Sequence, residues 1–451
     1  MSGTPSRVFH RLPNEPMPTA VSGDGCYIVD SEGKRYLDAS GGAAVSCLGH
    51  SHPAVRKTMH EQIDKIAFAY SGFFTSEPLE ELADYLIDNA PDGLERVFFV
   101  SGGSEALESA IKIARQYFVE IGQPQRSKLI ARRQSYHGNT LGALSLGGNM
   151  ARRALYQPLL SENAHHIAPC YAYREQRHDE TEEEYGLRAA NELEAKILEL
   201  GADTVAAFAC EPVVGATSGV VPAVAGYLKR IREICDKYGV LLIFDEVMCG
   251  MGRTGHLFAC EEDGVAPDLL CIAKGLGAGY QPIGAMLVSG NICKAIDEGS
   301  GAFMHGHTYM GHTLASATAM TVQKVIRDDN LLENVRVRGD QLRAALQERF
   351  GNHHHVGDIR GRGLFVGIEL VADRATKQTF DPKLGLHNKI RLKAMEEGLM
   401  CYPGAGTVDG THGTHILLAP PFIIDESHIA EIVEKLDRTL TAVLAEAKQV
   451  A

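Results

Sequence analysis

Two apolar runs in this chain each end abruptly in a charge. Val240-Leu241-Leu242-Ile243-Phe244 runs into Asp245-Glu246, and Leu269-Leu270-Cys271-Ile272-Ala273 runs into Lys274. Continuous apolar segments of this length, bounded by turn residues, predict strands buried on both faces of a parallel sheet. In such sheets ligands bind at the carboxyl ends of the strands. A carboxylate and an amine delivered to that edge from a dry interior need a matching partner, because unpaired buried charge is costly. One chemistry accounts for both. A lysine can hold a carbonyl cofactor as a Schiff base while an acidic neighbour keeps that cofactor's pyridine nitrogen protonated, and the cofactor that fits is pyridoxal 5'-phosphate (PLP).

The chain's 451 residues exceed the needs of one small core, so a main domain plus a smaller one is expected. A net charge of -13 argues against nucleic acid or an anionic membrane as partner. No apolar stretch approaches the roughly 20 residues needed to span a bilayer, and the polar, proline-punctuated start lacks an apolar signal core. Ten cysteines are scattered without a CxxC pair, and Cys210, Cys235 and Cys271 fall on core-facing positions. Reduced, buried thiols in a cytoplasmic protein are the expectation, rather than a disulfide framework or a zinc site.

Three regions are expected: an N-terminal segment (1–70) belonging to the small domain, a large PLP-binding domain (71–330) and a C-terminal small domain (331–451). Cys26 to Val29, a turn at Ser31-Glu32-Gly33, and Arg35 to Leu37 read as a hairpin. From 71 to 330 strands alternate with helices, the pattern of an α/β fold. One helix is predicted to begin at Ser104 with Leu107, Ile111, Ala114 and Phe118 on one face. Another carries Leu228, Ile231, Cys235 and Tyr238 and stops at Gly239, just before the Asp245 strand. The C-terminal region holds a strand expected over Gly363–Leu370 and an amphipathic helix with Ile429, Val433, Leu436, Leu440 and Leu444. The acidic run Asp179–Glu184 reads as a solvated insertion, and His353-His354-His355 as a loop; no metal site is assigned.

Ser101-Gly102-Gly103-Ser104-Glu105 comes directly after the strand Val97–Val100 and opens the helix at Ser104. Small residues let the backbone approach an anion, and the first helical N–H groups point at it. A plain N-cap by Ser104 explains the same residues. Thr308 in Gly306-His307-Thr308-Tyr309 is a second candidate phosphate donor. Gly250-Met251-Gly252-Arg253-Thr254-Gly255 fits GxGxxG, which raises a nicotinamide dehydrogenase as a rival. The segment after Gly255 is too short and broken for the required helix, and the next strand ends in Lys274 rather than an acid.

Together these residues resemble the class III PLP-dependent aminotransferases, the ω-aminotransferase group. The resemblance rests on FDEVMCGMGRTG (244–255) with the Lys274 strand, SGGSEALESAIKIAR (101–115), SYHG (135–138), CEPVVGATSGVVP (210–222), HGHTYMGHTLASA (305–317) and RGRGLFVGIEL (360–370). It implies a type I PLP-dependent transferase fold, with a mostly parallel central sheet and a small α+β domain built from both ends of the chain. It also implies a homodimer, or a pair of dimers, with active sites shared across the interface. Lys274 would be the Schiff-base lysine and proton carrier, and Asp245 the partner of the pyridine nitrogen. Val247 and Tyr136 would pack on the two ring faces. Gly103 and Ser104 would bind the phosphate with Thr308 of the other subunit, and His137 and Glu211 would border the cofactor. Phe73 and Phe74 would line the substrate pocket.

The expected reaction moves an amino group from an ω-amine, diamine or amino acid to pyruvate or 2-oxoglutarate by a ping-pong cycle. Racemase, decarboxylase and phospho-lyase outcomes are alternatives on the same fold, and a non-catalytic paralogue is a third. Two departures bear on substrate. Met248 stands where many relatives have glutamine, and residues 400–415 contain no arginine for an acceptor carboxylate. His412 and His415 are the groups there that could be cationic, and histidine replaces arginine's bidentate fork poorly. Without that arginine, Glu211 is free to meet the distal ammonium of a diamine.

Overall fold

The computed structural model describes residues 7–450, with side chains through 446. Its centre is a seven-stranded sheet in the order Leu94–Val100, Gly284–Ser289, Leu269–Ile272, Leu241–Asp245, Val205–Cys210, Lys128–Arg132, Ala164–Ile167. Gly284–Ser289 runs antiparallel to both neighbours, and the other six strands share one direction. The two strands read first from sequence are adjacent, with Asp245 level with Cys271. Every residue of both is buried, as continuous apolar runs require. Burying a side chain such as Phe244 contributes about 1.5–3 kcal/mol, so Phe244→Ala at this fully enclosed site would cost about 3–5 kcal/mol.

The approach to that strand is set locally. Helix Tyr227–Tyr238 ends where Gly239 takes the left-handed conformation at φ 63°. The Val240 N–H then bonds back to the Cys235 carbonyl at 2.9 Å, a C-terminal cap that turns the chain into the sheet.

Both chain ends build a second, smaller unit. The N-terminal hairpin forms as expected, with Tyr27–Asp30 paired to Arg35–Asp38, and Ala20–Asp24 added on its outer edge. Leu399–Met400 joins it in parallel, and Val356–Arg362, Phe365–Leu370, Thr414–Leu418 and Tyr402–Ala405 form another four-stranded sheet. One apolar core joins Leu37, Cys47 and Val55 to Leu342, Ile368, Leu436 and Leu440, the last two on the C-terminal helix Glu426–Val450. Among the described residues no helix is long and apolar enough to cross a membrane.

Three expectations are corrected. The acidic run is not an insertion: Thr181 caps helix Glu182–Leu200 through a capping box with Glu184, and the three glutamates occupy its first turn, where negative charge suits the helix dipole. Gly363-Leu364 is a turn between strands, and the strand begins at Phe365. The helix expected from Ser104 spans Gly103–Glu120 with Gly102 at its N-cap, so Ser104 is inside the first turn and its hydroxyl is available for other bonds.

Candidate active site

A cavity of about 380 Å³ opens at the carboxyl ends of the central strands. Gly103, Ser104, Tyr136, His137, Glu211, Asp245, Val247 and Lys274 all line it. Eight sequence-predicted site residues, scattered over 172 positions from 103 to 274, are thus brought to one place. Thr308, Phe73 and Phe74 do not line it. Thr308 is exposed, and Phe73 and Phe74 are 81% and 69% exposed on the surface.

Lys274 is separated from the end of its strand by one residue, Ala273, and opens a single 3-10 turn with φ at 45°. A non-glycine residue in that region carries strain of about 1–3 kcal/mol, tolerated where surrounding structure dictates it. Burial lowers the lysine's pKa, because desolvation penalises the ammonium more than Asp245 and Glu211 support it. The amine is therefore biased toward the neutral form in which it can attack a carbonyl or accept a proton.

Asp245 is buried and doubly held. Its Oδ2 lies 2.8 Å from His137 Nδ1, and its Oδ1 accepts the Val247 N–H at 3.1 Å. Its neighbour Glu246 faces away from the cavity chemistry. The Glu246 carboxylate accepts the Ala259 and Cys260 N–H groups at 2.6 and 2.8 Å and so anchors the segment that follows the Gly250–Gly255 turn. That turn leads into only a short 3-10 segment, Ala259–Glu261, so the helix a dinucleotide fingerprint needs is absent among the described residues.

Opposite, the first N–H groups of helix Gly103–Glu120 face the cavity from Gly102 onward. Ser101 N–H is taken by Glu105 Oε2 at 2.7 Å, and Ser104 Oγ accepts the Asn139 N–H at 3.0 Å, tying the helix start to the Tyr136–Gly138 loop. Gly103 must lack a side chain: a Cβ there would fall 2.6 Å from Val247 Cγ1.

Glu211 comes directly after strand Val205–Cys210. One oxygen lies 3.4 Å from the Gly215 N–H, and the other is buried with no partner. Burial raises its pKa to about 7, with Asp245 adding to the rise and His137 opposing it. Arg132, fully buried, donates to the Glu211 carbonyl from below and stacks over Tyr227.

The two histidines weighed as carboxylate receptors do not serve. His415 is enclosed, bonded to Thr407 Oγ1 at 2.8 Å, and its pKa falls to about 3 by desolvation, so it is neutral. His412 is exposed and paired with Asp409 at 2.7 Å. Sequence reading missed Val45, Gly138, Gly279, Gln281 and Pro282 in the lining. The glycine-dense stretch after Lys274, Gly275 to Pro282, was the available signal for the last three.

A buried lysine with a lowered pKa, a buried carboxylate held in place, a helix N-terminus and a glycine cradle suit PLP, and the fold is that of type I PLP-dependent transferases. The chain belongs to the class-III aminotransferases, whose family pattern it matches over residues 12–440. It is 46% identical over 441 residues to an uncharacterised aminotransferase of Schizosaccharomyces pombe, covering 97% of this chain and 95% of that one. It is 37% identical over 432 residues to the putrescine–pyruvate aminotransferase of Pseudomonas aeruginosa, covering 94% and 91%. The crystal structure of the ω-transaminase of Pseudomonas jessenii in complex with PMP superposes with a TM-score of 0.90 at 33% identity, over 96% of this chain and 94% of that chain. The protein is a PLP-dependent transaminase, and racemase, lyase and decarboxylase outcomes are not favoured.

Proposed function

We propose that Lys274 and Asp245 are the catalytic pair of this transaminase, an assignment carried by their convergence on one cavity from adjacent strands. PLP supplies, when bound, an aldehyde that takes up and hands on the amino group and a ring that draws off negative charge from the substrate carbon. Lys274 would hold the cofactor through Nζ, and its amine, with its lowered pKa, would carry a proton to and from the substrate carbon. Asp245 holds a proton on the pyridine nitrogen, and His137 fixes the carboxylate for that task. Val247 and Tyr136 would pack against the cofactor's ring, while Gly103 and Ser104 would hold its phosphate.

The donor is an amine with a distal positive charge, a diamine or a basic amino acid, which the unpartnered oxygen of Glu211 would receive. The putrescine-using relative supports this class. Pyruvate or 2-oxoglutarate is the acceptor. The working unit is a homodimer in which Thr308, Phe73 and Phe74 serve the partner's site. Support comes from the exposure of Thr308 and of the apolar side chains Phe73, Phe74, Met304 and Tyr309, which a monomer would leave in water. A domain division near residues 70 and 330 and a cytoplasmic location belong to the same reading; ten free cysteines, nine of them buried, suit a reducing compartment.

Titrating the purified protein with a panel of amines, without keto acid, tests the proposal. Loss of the cofactor's visible absorbance with diamines ahead of monoamines is expected. No visible band after adding PLP would sink the cofactor assignments.

A further inference from the structure

The cavity holds carboxylates for an amine, yet the reaction also needs a cation for the carboxylate of a keto acid. The segment read from sequence as its natural source has none. Residues 405–413 instead fold tightly on themselves, with Gly406 N–H bonded to Gly413 O at 2.9 Å and Val408 N–H to His412 O at 2.9 Å. Buried Gln134 clasps this loop through the Gly406 carbonyl at 2.6 Å. Gly410 lies against the backbone of Ala151, in the short helix Met150–Ala154. The loop thus buttresses that helix.

Arg152 stands on it. Its guanidinium lies 5.0 Å from the centre of the Tyr136 ring, and Tyr136 lines the cavity. Arg152 is exposed, and among the described residues no carboxylate pairs with its side chain. Two other cations of the site are committed: Arg132 is buried beneath Glu211, and Lys274 would be held by the cofactor.

Resting on the transaminase reading above, we infer that Arg152 is the residue that binds the carboxylate of the keto-acid acceptor. Its planar fork matches a carboxylate bidentately, which neither His412 nor His415 can do. Because it stays in water when unused, it imposes no buried charge on a donor that lacks a carboxylate. One cleft can therefore take a cationic amine and then an anionic acceptor in alternate halves of the cycle. Glu211 serves the first and Arg152 the second.

Arg11, on the N-terminal segment, is also within electrostatic reach of Tyr136 and serves as the control. The experiment compares kcat/KM for pyruvate with kcat/KM for an uncharged aldehyde acceptor in the holoenzyme. In Arg152→Gln the ratio of pyruvate to aldehyde should fall about 10-fold or more, as loss of a charge-assisted bond implies. Arg152→Lys should recover part of it, and Arg11→Gln should leave the ratio near wild type. An unchanged ratio in Arg152→Gln, or a fall in Arg11→Gln instead, would overturn the inference. A wild-type enzyme that aminates aldehydes but no keto acid would overturn the functional reading itself, and this inference with it.

Discussion

His137 Nδ1 lies 2.8 Å from Asp245 Oδ2, with both side chains shut away from solvent. An ionised carboxylate only accepts, so the proposed pairing of Asp245 with a ring nitrogen makes Nδ1 the donor of this bond. The histidine holds the carboxylate still, which in the proposed assignment leaves the aspartate's charge for the ring nitrogen. In Asp245→Asn the cofactor should stay bound while kcat falls by about 10²–10³-fold, the usual effect of losing one preorganised electrostatic partner. Single-turnover absorbance with an amine donor measures it, and wild-type rates would contradict the pairing.

Gly103 and Val247 leave no room for another atom. Gly103→Ala should push Val247 toward the ring and weaken cofactor retention by about 1–3 kcal/mol, the usual range for overpacking. Equilibrium dialysis of PLP against the variant would show it. Retention equal to wild type would mean that Val247 does not face the ring.

Glu211 sets a pH dependence whose sign is fixed by its burial. With a pKa raised to about 7, its carboxylate is mostly protonated at pH 6 and mostly ionised at pH 8. The preference for a diamine over a monoamine should therefore rise through neutrality, and Glu211→Gln should flatten it. The same upward shift has a stability counterpart. It favours the folded state below the ordinary value of 4.5, and that contribution is lost as pH climbs through about 7. The melting temperature of Glu211→Gln should thus gain on wild type between pH 6 and pH 8. A diamine preference that stays flat in wild type would remove Glu211 from donor recognition.

Thr308 is exposed in its own subunit, away from its cavity. Lys274→Ala should be inactive, with turnover down by about 10³-fold or more, and Thr308→Ala should hold PLP poorly. Co-expressing the two chains should restore activity, because a mixed dimer owns one site with both residues intact. Activity no higher than the sum of the separate variants would argue against sites shared between subunits.

The chemistry was legible in sequence wherever side-chain type and strand ends coincide. Asp245 ends a buried apolar strand, Glu211 follows one and Lys274 lies two positions beyond another, and the geometry of a mostly parallel sheet does the rest. Gly103 and Ser104 could be placed at a helix start because small residues follow a strand there, and both line the cavity. Reading failed where charge alone was the guide. Three glutamates after Thr181 looked like a solvated loop, because first-turn acids and loop acids share a composition and only the reciprocal Thr181–Glu184 bonds distinguish them. His415 looked like a possible cation, and its neutrality comes from enclosure that no local pattern reveals. Arg152 was invisible because its meaning lies in proximity to Tyr136, with a helix and a turn between them in the chain.

The left-handed backbone at Lys274 means that the protein is less stable than its own sequence neighbourhood would allow. Glycine at that position would relax the turn and release about 1 kcal/mol or more of strain, while removing a buried amine from the interior. Selection for thermal robustness alone would thus drift toward a sturdier chain that transfers nothing. Stabilisation efforts on this scaffold should work at a distance from that turn, on surfaces and caps where firmness and turnover do not compete.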